Sequence, residues 1–112
     1  MRWSVSEKDL EGVTPQKARD LVTRCFFEAQ KETLAEAKKK LGSAPTDTEL
    51  RENVLRMVKM AFKETGGDFD SPTKDSLMRA IDVLARKAAS WGTPPEIINH
   101  HKGEIEKILK RL

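Results

Sequence analysis

The sequence predicts an all-α fold: a four-helix bundle of the up-and-down type with a short N-terminal arm. Three observations predict it. Apolar residues recur every three or four positions through four segments, most segments open with a hydroxyl residue followed by proline, and three close on glycine. Helix formers dominate and tyrosine is absent, which favours helices over strands.

The starts come first. Thr14-Pro15, Ser71-Pro72 and Thr93-Pro94 each place a hydroxyl before a proline. The hydroxyl accepts a bond from an unpaired N–H of the first turn, and proline there gives up no bond that the helix needs. The remaining start is Thr46-Asp47-Thr48-Glu49. Thr46 with Glu49, and Thr93 with Glu96, have the spacing of a capping box. Gly42, Gly66-Gly67 and Gly92 mark the stops, because glycine accepts the left-handed backbone that closes many helices. The expected helices therefore span 15–41, 47–65, 72–91 and 94–111. Residues 1–13 form the arm, with a turn after Ser6 and Trp3 or Leu10 packed on the body. Residues 14–112 form one domain.

Each span carries an apolar stripe. The first begins Ala18, Leu21, Val22, Cys25, Phe26 and Ala29, and the second holds Leu50, Val54, Val58, Ala61 and Phe62. The third holds Leu77, Ile81, Leu84, Ala88 and Trp91. In the fourth, Ile97, Ile98, His101, Ile105, Ile108 and Leu112 share the pattern. Short connections between long helices favour antiparallel neighbours.

Composition narrows the class. Charged residues make up 35%, above the usual ~25%, but they are interleaved with apolar ones, which argues against disorder. The net charge is only +3, so its distribution matters more than its sign. No apolar run reaches the ~20 residues that span a membrane, and the N-terminal residues lack the apolar core of a signal peptide. Cys25 stands alone, so no internal disulfide is expected. The expectation is a cytoplasmic protein without a membrane partner.

The first helix departs from the pattern. At ~1.5 Å per residue it would be about 40 Å long, against about 30 Å for the others. Besides its core stripe it carries Phe27, Leu34 and Leu41, seven residues apart on the opposite side. A helix with two apolar faces touches two things. Either it sits centrally in its own fold, or the second face meets another chain, a symmetric homodimer being the commonest such arrangement. On the second view Phe27, Leu34, Leu41 and the neighbouring Lys38 bind a protein partner.

The segment 88–104 resembles the helix-turn-helix of DNA-binding proteins. Ala88, Trp91, Gly92 and Ile98 fall at its small, apolar, turn and core positions. The resemblance implies that Asn99, His100 and Lys102 reach groove edges or phosphates. Thr93 and Lys87 stand where the motif has apolar residues, and Glu96 and Glu104 would repel phosphate. DNA binding is therefore the alternative to protein binding.

Other constellations point to structure. The basic clusters Lys38-Lys39-Lys40, Arg86-Lys87 and Lys110-Arg111 lie in last turns, where positive charge meets unpaired carbonyls. Glu96, His100 and Glu104 share a face and suggest surface ion pairs, while His101 on the stripe suggests a hydrogen-bonded histidine at the core edge. Asp68-Phe69-Asp70 reads as a solvated turn with Phe69 tucked against the bundle end. Gly103 breaks the fourth helix either for a close approach or for a kink. No Gly-rich phosphate loop, zinc-finger spacing or nucleophile elbow occurs, and nothing beside Cys25 supplies a base. The expected function is a non-catalytic protein-interaction module with no cofactor and no metal site.

Overall fold

The computed structural model describes residues 3–41 and 45–112, and the side chains of the first helix through Ala35. Four helices follow one another: α1 (Pro15–Leu41), α2 (Asp47–Glu64), α3 (Lys74–Ser90) and α4 (Pro95–Leu109). Successive helices pack on each other and α4 closes the ring against α1, while α2 and α4 lie diagonally apart. This is the expected all-α four-helix bundle. The other diagonal, α1 with α3, does touch. Among the described residues no helix is long and apolar enough to cross a membrane.

The stripes meet along the bundle axis. Val22 and Cys25 of α1, Val54, Val58 and Phe62 of α2, Leu77 and Leu84 of α3, and Ile108 of α4 are sealed from solvent. Phe69 closes one end, its ring edge-on to Phe62 at 5.9 Å. The arm adds Val5 and Leu10 to the same core, with Trp3 half-buried beside them. Ser6 and Asp9 cap each other's backbone N–H at 3.1 Å and hold the turn that follows Ser6.

Capping chemistry decides the helix ends. Thr14 accepts the Lys17 N–H at 3.1 Å and Thr46 accepts the Glu49 N–H at 3.2 Å, as expected. The start of α3 differs: Thr73, not Ser71, is the N-cap. Thr73 and Ser76 exchange side-chain-to-backbone bonds at 2.8 and 3.1 Å, a reciprocal pair that Ser71 lacks, and Pro72 is buried instead. The start of α4 differs too. Pro94 precedes another proline, which keeps it extended (φ −57°, ψ 142°), so the helix begins at Pro95. Thr93 therefore caps nothing in α4 and makes no capping box with Glu96. Its N–H bonds back to the Ala88 carbonyl at 3.1 Å and completes the end of α3.

The ends of α2 and α3 share one design. Gly66 (φ +77°) and Gly92 (φ +86°) take the left-handed conformation. The following N–H then reaches back to the carbonyl of Phe62 or Ala88, giving a Schellman closure at both. Trp91, expected on the core stripe, is the residue at which α3 ends, and it stands 53% exposed. Gly42 lies outside the described residues.

Candidate functional site

α3 and α4 pack on each other less extensively than the other neighbours in the ring. The gap between them is a cavity of about 310 Å³ with a mainly apolar lining. Its floor is α1, through Cys25, Phe26 and Ala29, and one wall is α3, through Met78, Ile81, Ala85 and Ala88. The other wall is α4, through Ile98, His101, Ile105 and Leu109. The space has a simple origin in the sequence. Cys25 and Ala29 on α1 and Ala85 and Ala88 on α3 are small side chains set among larger ones, so the helices meet without filling the volume between them.

Charge is confined to the rim, where Asp82 and Glu106 oppose Lys102, all three exposed. One polar ring lies deep. His101 is 4% exposed, and neither Nδ1 nor Nε2 has a hydrogen-bond partner. The nearest acid is Glu32 of α1, with Oε2 3.8 Å from Nε2, beyond hydrogen-bond range. Burial, helped by the neighbouring His100, holds the His101 pKa below its usual value despite the pull of Glu32 and Glu104. At neutral pH the ring is therefore uncharged, with one N–H to give and one bare nitrogen to accept. The sequence led us to expect a hydrogen-bonded histidine here. Its position at the core edge holds, and its bonding does not.

His101 also touches the arm, stacked at 6.4 Å on Trp3. The adjacent His100 bonds through Nε2 to the Trp3 carbonyl at 2.8 Å, and because a carbonyl only accepts, the proton is on Nε2. His100 thus serves the arm rather than the surface ion pairs expected from its glutamate neighbours. Glu104 is the second anchor: it is buried and accepts the Val5 N–H at 3.0 Å and Lys107 Nζ at 3.2 Å. Burial alone would raise its carboxyl pKa, but the Val5 N–H and the Lys107 ammonium outweigh burial and hold it below its ordinary value. Sequence reasoning missed Glu104, although the signal was present. It lies three residues past His101 and four before Ile108, on the buried face of α4.

The second face of α1 is not free at its first position. Phe27 is 3% exposed, inside the protein's own core, with the Arg51 guanidinium of α2 5.1 Å from its ring centre and Lys31 Nζ at 5.9 Å. This corrects its assignment as a partner-binding residue: at Phe27 the second face meets Arg51 of α2. Leu34 is half-buried against the core. The side chains of Lys38 and Leu41 lie outside the described residues. Of the residues implied by the helix-turn-helix resemblance, Asn99 and Lys102 are exposed, Lys102 at the cleft rim, and His100 is engaged by the arm.

Cys25 lies on the cleft floor, fully buried, and burial drives its thiol pKa far up, so it remains a protonated thiol. Asp68 and Asp70 sit exposed in a turn closed by the Asp70 N–H on Asp68 Oδ1 at 3.0 Å. Among the described residues no three His, Cys, Asp or Glu side chains come together as metal ligands. No protein-family model, no curated protein and no solved structure matches the chain.

Proposed function

We propose that this chain is a non-catalytic binding module whose recognition surface is the cleft between α3 and α4. The observation that carries this reading is the cleft itself: an apolar cavity of about 310 Å³ that reaches from solvent to α1. That volume is at the lower end of small-molecule sites, which run to ~300–1,000 Å³. A small ring or short chain fits that volume. Catalysis has little to work with: the one thiol is held protonated by burial, and the charged rim groups stand in solvent.

Toluene is a direct probe, read through the isoleucine methyl resonances. It should shift Ile81, Ile98 and Ile105, which line the cleft, and leave Ile97 and Ile108, which do not line it, nearly unmoved. Ala85→Trp, placed on the half-buried α3 wall, should fill the space and remove the response. Equal shifts at all five methyls, or an unchanged response in Ala85→Trp, would refute the reading.

A further inference from the structure

We propose that the N-terminal arm is a flap that opens in mild acid, and that His101 is the group whose protonation lifts it. The structure places the two together. The His101 ring stacks on Trp3 of the arm at 6.4 Å, is 4% exposed, and has no hydrogen-bond partner at either nitrogen. The arm is fastened to α4 through its backbone at two places: the Val5 N–H on Glu104 at 3.0 Å, and the Trp3 carbonyl under His100 Nε2 at 2.8 Å. It joins α1 through Gly12, whose left-handed backbone (φ +57°) forms a turn outside any helix. Of the elements around the ring, the arm is the one that can leave without breaking a helix.

A charged imidazole is costly where water cannot reach it, and that cost falls when its cover lifts. Burial, with His100 beside it, holds the ring below its ordinary value of 6.5 in the closed form, and exposure returns it toward that value. The open form therefore takes up the proton first. The closed form keeps its full advantage above pH 6.5. Each pH unit below that erodes the advantage by up to about tenfold, until the closed ring titrates as well. The surrounding charges set the size of the effect. Glu28 and Glu32 of α1 and Glu104 of α4 favour the charged ring without outweighing burial. All three belong to helices, so they stay with the bundle after the arm has left. Arg24 lies over Trp3 at 5.7 Å, and on the cleft side Asp82, Lys102 and Glu106 stand exposed at the rim. His100 is not the trigger, because its Nε2 donates to the Trp3 carbonyl whether that ring is neutral or charged. Nor is Glu104, whose carboxyl titrates below 4.5.

The test is hydrogen exchange at the Val5 amide of the full chain between about pH 7.5 and 5.5, corrected for the intrinsic exchange rate and compared with the core amide of Val58. Protection at Val5 should lie below that at Val58 throughout, because the arm opens on its own. It should fall about three- to tenfold across the range. In His101→Phe the fall should disappear. His100→Gln retains an N–H donor for the Trp3 carbonyl and should keep it. Protection at Val5 that is independent of pH, or equal to that at Val58, would overturn the inference, and so would an undiminished fall in His101→Phe. Should His101→Phe not fold, ¹⁵N shifts of the wild-type His101 ring decide. A pKa below the ordinary histidine value supports the flap, and an ordinary or raised one overturns it.

Discussion

Glu104 offers the sharpest test of how the arm is held. Its carboxylate accepts the Val5 N–H at 3.0 Å in a buried setting, across a separation of 99 residues. Hydrogen bonds to a charged group contribute about 1.5–3 kcal/mol net, and a buried N–H left unpaired costs a similar amount. Glu104→Ala removes the acceptor that this N–H has among the described residues and should destabilise the protein by about 2–3 kcal/mol. Glu104→Gln keeps an oxygen in place and loses the charge, so about 1 kcal/mol is expected. At about 4 °C per kcal/mol for a chain of this size, these become drops of about 10 °C and 4 °C in Tm. Thermal unfolding by circular dichroism at pH 7 measures both, and hydrogen exchange at the Val5 amide reports the local release.

The pH dependence follows with its sign. The folded-state pKa of Glu104 lies below the unfolded value of 4.5, so the unfolded chain takes up the proton first. The stabilisation is complete above pH 4.5 and is lost as pH falls through the lower folded value. Glu104→Gln should lack that part of the acid sensitivity. Equal stability of Glu104→Ala and the wild type, or an undiminished protection of the Val5 amide in Glu104→Ala, would refute this account of the arm.

Two further substitutions probe the helices. Phe27→Ala should cost about 3–5 kcal/mol, as for a core phenylalanine, measured by urea denaturation; a change below about 0.5 kcal/mol would return Phe27 to the surface. Gly103→Ala should stabilise by about 0.5–1 kcal/mol, since nothing lies within 4 Å of a Cβ built there and α4 runs through it without a break. A loss of stability in thermal unfolding would show that the position does carry a close approach.

Much of the fold was legible in the sequence because it is written in local physics. Stripes such as Leu50-Val54-Val58-Phe62 need only their own helix to be recognised, and Gly66 and Gly92 need only the closure that follows them. The errors arose where distant parts compete for one residue. Thr93 has the local look of an N-cap, but it ends α3 and its hydroxyl receives the Gln30 amide of α1 at 3.3 Å. His100 looked like a surface residue until the Trp3 carbonyl reached it from the other end of the chain. Phe27 is apolar and off the main stripe, as the sequence shows, but only the fold shows that it is buried beneath Arg51 of α2. The cleft had the faintest signal. It consists of volume left out at Cys25, Ala29, Ala85 and Ala88, and unfilled volume becomes visible only when three helices are brought together.

Binding in the α3–α4 cleft requires that the space accept an apolar guest. Xenon probes this, since it occupies apolar cavities without needing any polar partner. A crystal of the full chain pressurised with xenon should show one dominant anomalous peak between Phe26, Ile81 and Ile105. A cleft free of xenon, or a stronger peak elsewhere in the bundle, would contradict the account.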